Sequence, residues 1–332
     1  MRFSNLLKSK NNKFDITFIC RRNSDHFSQP ILQELEKKYS IQYLFPEHKR
    51  DYHHWQVKGK IVWVEWAHKF AKEVTKKRWK SKKVIVRLHR YEIDTHYMQS
   101  IKWSNVDQLI FVNPELEVQF KNKFDKNVET ITIPNAIDVS SFPFINPTNE
   151  NKLLAFSLHF HPVKSYFKLI KTFVKIVNQN RNIHLTIATQ QPKDLEQRKY
   201  FINCKHLIEK HNLSKHIILH TIKRNQEVPE LLSSHNAIVS FSEIESFHYA
   251  FAEGLLSGLE GFCRGWRALI PQYFWRDWCY ENENDFIKAI LKWCKSSLQE
   301  RLKISKKNRG YIVNNYSSEK VSNTYQDLFN KL

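Results

Sequence analysis

Short apolar runs alternate with helix-like segments along most of this chain, and that alternation narrows its possible folds more than any other feature. DITFIC (15–20), IQYLF (41–45), KIVWVEWA (60–67), VIVRLH (84–89), QLIFVN (108–113) and TITIP (130–134) read as strands. Helices are expected over ILQELEKKY (31–39), the basic segment from residue 69, and PELEVQFKNKF (114–124). Strands and helices at this spacing predict parallel, doubly wound sheets. Residues 134–147, PNAIDVSSFPFINP, carry three prolines and interrupt the pattern, as a linker would. The scheme then resumes with strands at KLLAFSL (152–158), HLTIAT (184–189), HIILHT (216–221) and AIVSFS (237–242). YFKLIKTFVKIVNQ (166–179) between them carries a helical apolar stripe. The expectation is two Rossmann-like α/β domains in tandem, facing a cleft.

A length of 332 residues suits two such domains. Glycine is scarce, at six residues, and neither G-x-G-x-x-G nor G-x-x-x-x-G-K-[ST] occurs, which argues against a dinucleotide dehydrogenase and a P-loop NTPase. Five cysteines without C-x-x-C spacing argue against structural zinc and a disulfide framework and fit a reducing cytoplasm. The start, MRFSNLLKSKNNKF, is too polar for a signal peptide, and no apolar run approaches the roughly 18 residues of a membrane span. The net charge of +20 calls for a polyanionic partner: nucleic acid, an anionic membrane or an acidic substrate.

Residues 237–258, AIVSFSEIESFHYAFAEGLLSG, concentrate the chemistry. A buried strand leads into an acidic turn and then a small-residue helix ending at Gly258. Glu245 and Glu253 converge only if the first lies at the helix entrance and the second one to two turns down. Two carboxylates and a helix N-terminus then sit at the C-terminal end of a strand, where open α/β sheets bind ligands and helix N-termini favour phosphate.

The pattern S-E-x-E-S-F-x-x-x-x-A-E-x-L-x-S-G resembles the E-x7-E motif of retaining GT-B glycosyltransferases, family 4 in particular. The resemblance implies a GT-B fold and a nucleotide-sugar donor site. Glu253 would hold the ribose hydroxyls and Glu245 the transferred sugar. Backbone N–H groups near Phe247 and His248, with Ser246 in the same turn, would face the diphosphate. The family usually has glycine where this chain has His248, and its I-P-N-G-[IV]-D hinge appears here with Ala136 in the glycine place. Lys164, in LHFHPVKS, matches a family lysine that reaches the diphosphate; the family's neighbouring arginine is missing, and His159 or His161 is the candidate substitute. His89, ending a first-domain strand, would lie beside the donor sugar. The family's Gly-rich donor loop is absent, and W-x-x-x-I-P-x-x-x-W (266–275) resembles a compressed variant.

Glu65 and His68 form a second pair at the end of a strand and are candidate acceptor contacts, as are Asp25 and His26 in the first strand-to-helix loop. KFAKEVTKKRWKSKK (69–83) holds eight Lys/Arg among fifteen residues. Lys76, Lys77, Arg78, Lys80, Lys82 and Lys83 on a helix suit an anionic bilayer, with Trp79 inserted at the interface.

These observations lead to three expected segments: 1–138 as acceptor domain, 139–312 as donor domain, and 313–332 as a helix returning to the first. The expected activity is transfer of a hexose with retention of configuration onto a lipid-linked glycan in cell-surface polysaccharide assembly. It would occur at the cytoplasmic membrane face. No metal or other cofactor is expected, since GT-B enzymes neutralise the diphosphate with helix N-termini and basic side chains and no D-x-D motif occurs here. The alternative is a nucleic-acid-binding protein or a DNA-modifying glycosyltransferase, although no nucleic-acid-binding motif is found. A catalytically inactive sugar-binding homologue is the third reading.

Overall fold

The computed structural model describes residues 14–47, 56–124, 126–223, 227–264 and 276–332. The compressed aromatic segment at 266–275 lies outside them. The chain divides into two compact units, Met1–Ala136 with Ser318–Leu332, and Ile137–Ser317.

The first unit is built on β1 (Ile16–Ile19), β2 (Ile41–Leu44), β3 (Ile61–Glu65), β4 (Lys83–Leu88), β5 (Gln108–Phe111) and β6 (Thr130–Thr132). They form one parallel sheet in the order β2-β1-β3-β4-β5-β6. All residues of β1, β3 and β5 are buried, as expected of parallel strands covered on both faces. The helix Ser318–Lys331 belongs to this unit because Tyr325 stacks on Trp63 of β3, with ring centroids 4.5 Å apart and planes 10° from parallel. It starts five residues after the expected 313, since the preceding helix, Leu298–Tyr316, runs on to Tyr316.

The basic segment departs from expectation. Its helix covers only Lys69–Val74. Beyond it, Trp79 turns inward: its Nε1–H donates to the Val74 carbonyl at 2.9 Å and its ring packs against the core. Lys77 Nζ lies 4.1 Å from the centroid of that ring. Lys76 pairs with Glu73 at 2.6 Å, Arg78 with Asp107 at 2.8 Å, and Lys82 donates to the Gly59 carbonyl at 2.8 Å. The tryptophan therefore anchors its own loop and is not the interfacial residue read from the sequence. Among the described residues, no helix is long and apolar enough to cross a membrane.

The second unit holds β7 (Lys152–Phe156), β8 (His184–Thr189), β9 (Ile217–Thr221), β10 (Ala237–Ser240) and β11 (Glu260–Cys263), parallel and in the order β11-β10-β7-β8-β9. The last strand was not expected, because EGFC is short and carries a glycine. From β7 the chain builds outward to β8 and β9, then returns to place β10 on the other side of β7. This reversal of strand order opens a crevice at the C-terminal ends of β7 and β10.

The helix Tyr249–Leu256 lies close over β10 because it contains Gly254. A Cβ there would come within 2.8 Å of Ile238 Cβ, so any larger residue would push the helix off the strand. Gly258 ends the helix at φ +94°, a conformation glycine adopts without strain.

Candidate active site

Two loops meet at the crevice of the second unit. The loop after β7 ends in a 3-10 turn, Pro162–Lys164, whose start is capped by His161: its Nδ1 accepts from Val163 N at 3.2 Å. The loop after β10 carries Ser242, Glu243 and Glu245. Glu243 N donates to the Val163 carbonyl at 2.8 Å and fastens the loops together. Two ion pairs reinforce the join. Lys164 Nζ lies 2.5 Å from Glu245 Oε1, and Lys168 Nζ 2.5 Å from Glu243 Oε1. The Ser242 hydroxyl donates to the same Glu245 oxygen at 2.7 Å.

Glu245 is nearly enclosed. Burial opposes its ionisation, but His248, Lys164 and the Ser242 hydroxyl outweigh burial and hold the carboxyl below its usual range. His248 is itself pushed down to about 4 by burial, so near neutrality the attraction acting on Glu245 is that of Lys164. The site thus presents one cation already engaged by a carboxylate, with ammonium protons to spare for a second anion.

His248 explains why a glycine would be easy here. It sits at φ +64° before the helix, in the left-handed region. Its ring turns inward, with Nε2 2.7 Å from Ser240 Oγ and Nδ1 accepting from Phe251 N at 3.4 Å. Phe247 is also buried, edge-on to Tyr249 and Tyr316. Both side chains are packed inside the fold, and what this turn offers is its backbone. Ser246 is half-buried in the same turn. Glu253 lies one turn into the helix. No hydrogen bond or ion pair engages its carboxylate among the described residues, and burial raises its pKa to about 7. His159 is exposed, and burial together with Lys193 and Lys164 lowers its pKa.

The first unit has its own polar cluster at the C-terminal ends of β3 and β4. Glu65 is wholly buried. Its Oε1 accepts from Arg87 at 2.8 Å and from His89 Nε2 at 2.7 Å, and its Oε2 from Trp63 Nε1 at 3.0 Å. Burial disfavours the charge on Glu65, but Arg87 and then His89 prevail and bring it to about 2. His89 is lowered to about 4 by burial, against the pull of Glu65. Near neutrality the trio is therefore carboxylate, guanidinium and neutral imidazole. The Nε2–H donated to Glu65 fixes the tautomer and leaves Nδ1 as an acceptor. The His89 ring is held between Trp66, at 3.8 Å between centroids, and Phe27, at 5.4 Å. Trp66 adopts φ +75° to reach this position, strain that the surrounding contacts must offset.

Residues 140–260 match the family model of glycosyl transferases group 1. That span covers both loops of the second-unit site. No curated protein matches the chain. Among solved structures, sucrose-phosphate synthase from Thermosynechococcus elongatus superposes with a TM-score of 0.70 at 12% identity, covering 96% of this chain and 98% of that one. A glycosyltransferase from Rickettsia africae gives 0.71 at 14%, covering 97% and 99%. Anabaena HepE, solved with UDP and glucose, gives 0.71 at 11%, covering 96% and 100%. The fold is GT-B, as the resemblance implies, and its two Rossmann-like domains are those that the alternation of strands and helices predicts.

The candidate residues can now be placed. Lys164 and Glu245 are joined, with His248 behind them at 3.8 Å from Glu245. His161 caps its own turn. Glu65 is a correction: with no exposed surface and every contact internal, it cannot touch an acceptor and instead supports His89. His68 is half-buried, its Nδ1 is buried without a partner, and its pKa falls to about 4 through burial and then Lys69. Asp25 Oδ2 accepts from Gln29 Nε2 at 3.1 Å at the head of the Gln29–Leu35 helix, while His26 keeps an exposed face and the partial covering of its ring lowers its pKa. Sequence reasoning missed Arg87, Glu92, Ser242 and Glu243.

Glu92 yields a stability prediction. It is wholly buried; one oxygen accepts from His89 N at 2.9 Å, and the other, Oε1, has no partner within hydrogen-bond distance among the described residues, although the Ala67 backbone also favours the charge. Burial raises its pKa to about 8. The folded state therefore holds a proton that the unfolded chain releases near pH 4.5, so this contribution is full below that pH and is lost as pH climbs to 8. Glu92→Gln keeps the shape without the charge. It should leave stability near pH 5 unchanged and raise it by about 2–4 kcal/mol near pH 8, at roughly 1.4 kcal/mol per pH unit. Denaturant titrations at both pH values check this; equal gains at the two would rule out the protonated carboxyl.

Proposed function

We propose that this protein is a retaining glycosyltransferase that moves a hexose from a nucleoside diphosphate sugar to a glycan acceptor in cell-surface polysaccharide assembly. The observation that carries the reading is the Lys164–Glu245 pair at the ends of β7 and β10, within the segment that matches the glycosyl transferases group 1 model. UDP and glucose in HepE, a neighbour with the same fold, support the donor class.

In this reading the diphosphate lies against the backbone of the Ser246–His248 turn and Lys164. The bond from the anomeric carbon to the diphosphate oxygen breaks, and a bond to the acceptor oxygen forms on the same face. The acceptor proton passes to the departing diphosphate. Lys164 counters the charge that develops there, and Glu245 orients the sugar. The acceptor is a lipid-linked glycan at the cytoplasmic membrane face, a placement supported by the +20 charge alone.

Glu253 should hold the ribose, since its carboxylate has no competing partner among the described residues. Glu253→Ala is expected to weaken nucleoside diphosphate binding by about 1.5–3 kcal/mol with the fold intact. With a carboxyl pKa near 7, wild-type affinity should also fall as pH drops from about 8 to about 6, and the variant should keep only the shallower dependence that the ligand's own terminal phosphate, titrating at about 6, imposes. Calorimetry decides: an unchanged affinity for every nucleoside diphosphate tried refutes the assignment.

Transfer should also persist in excess EDTA, because Lys164 and the helix N-terminus meet the diphosphate charge. Turnover abolished by EDTA and restored by magnesium or manganese would overturn this.

A further inference from the structure

The basic segment that forms no membrane helix walls a pocket instead. Its cavity of about 530 Å³ opens at the N-terminal edge of the first sheet, the end away from His89. Asp15, Lys60, Ile61, Lys83 and Asp107, at or just before the starts of β1, β3, β4 and β5, line one part. Arg78, Trp79, Lys80 and Lys82 come from the basic loop, and Tyr39 and Phe329 complete the wall.

Lining Lys and Arg side chains exceed lining Asp and Glu side chains by three, and Leu332, the last residue of the sequence, lines the same wall. The acids are also committed to the fold. Asp15 accepts from Ser40 N and Oγ, each at 2.8 Å, and Asp107 accepts from Val84 N at 2.8 Å while binding Arg78. Two of the cations are likewise committed, Arg78 to Asp107 and the Ser104 carbonyl and Lys82 to the Gly59 carbonyl. Lys60, Lys80 and Lys83 are exposed, and Lys83 reaches Asp107 only at 3.9 Å. The C-terminal end of the Ser318–Lys331 helix also borders the pocket, but its dipole amounts to about half a negative charge, too little to cancel three ammonium groups.

We propose that this pocket binds a phosphoryl group of a small, multiply charged soluble anion, held by Lys60, Lys80 and Lys83. The volume falls within the range of small-molecule sites. Concavity favours a soluble ligand over a bilayer, and so does Trp79, whose indole N–H is spent on the Val74 carbonyl. A lipid headgroup would bring the same phosphoryl chemistry, so the test must separate the two sources.

The probe is inorganic tripolyphosphate, titrated calorimetrically into the full chain carrying Lys164→Ala, which removes the cation of the second-unit site. At about 0.15 M salt it should bind saturably, and more weakly as salt rises. Adding Lys60→Ala, Lys80→Ala and Lys83→Ala should weaken binding at least about tenfold, since charge-assisted contacts are lost, with an unchanged thermal midpoint. Lys80→Glu alone, at an exposed position, should weaken it in the same direction and serves if the multiple variant folds poorly. Affinity unaffected by these substitutions overturns the proposal. So does the absence of tripolyphosphate binding, whether or not the protein binds vesicles of anionic lipid.

Discussion

Replacing Lys164 with alanine should lower turnover by about 10²–10³-fold, the loss typical when one group that stabilises developing charge is removed. The second unit should remain folded, because the backbone link from Glu243 to Val163 and the Lys168–Glu243 pair still hold the two loops. Two effects add. In the proposed reading the departing diphosphate loses the Lys164 cation, and Glu245 loses the partner that kept its carboxyl ionised against burial. The Glu245 pKa should therefore rise in the variant, and the pH at which residual activity falls off should move upward with it. Lys164→Arg keeps the charge and should recover part of the rate. Loss confined to the transition state lowers kcat and kcat/KM together, whereas loss of ground-state binding raises KM alone. Steady-state kinetics across pH distinguish these. A Lys164→Ala enzyme with unchanged kcat would remove Lys164 from the chemistry and leave it a structural tie between loops.

How much of this was legible in the sequence differs between the two units. Ten of the strands could be read because their runs are apolar and bounded by turn residues. The eleventh, Glu260–Cys263, is too short and too glycine-marked to stand out. In the second unit the spacing of Glu245 and Glu253 singled out a turn that the structure joins to Lys164, because the residues of that turn are local in sequence. Lys164 came from the resemblance; its joining to Glu245 depends on β7 and β10 being neighbours, which sequence order does not state. The first unit hid more. Arg87 sits inside an apolar strand, where a buried charge demands a partner. That partner, Glu65, is its register mate on β3. Two charges at matched ends of adjacent apolar runs were the signal, yet only Glu65 was singled out, as an edge residue, and Arg87 was passed over. Trp79 misled for another reason. An aromatic among lysines suits a bilayer interface equally well when it is a loop anchor, and only the Val74 carbonyl separates the two.

Glu65→Gln should be the most destabilising of these changes, at about 3–5 kcal/mol, the range for breaking a buried pair from one side. Three donors converge on the carboxylate, from Trp63, Arg87 and His89. A glutamine offers one acceptor oxygen and turns an NH₂ group toward the rest. Arg87 would keep Asn135 and a longer contact to Ser28, but its charge would stay buried without a counter-charge. The pH dependence carries the signature. The folded pKa of Glu65, about 2, lies below the unfolded value near 4.5, so its contribution is present above pH 4.5 and fades as pH falls toward 2. The variant should lose that acid-sensitive component. Removing Arg87 as well, in Glu65→Gln/Arg87→Met, should recover part of the loss, because no buried charge is then left alone. His89 supplies the second readout. Without a carboxylate to take its Nε2–H, the ring should populate the other tautomer, visible in its ¹⁵N shifts. Full-chain denaturation that moves by less than about 1 kcal/mol, with an unaltered His89 spectrum, would show that Glu65 neither carries the pair nor positions the histidine.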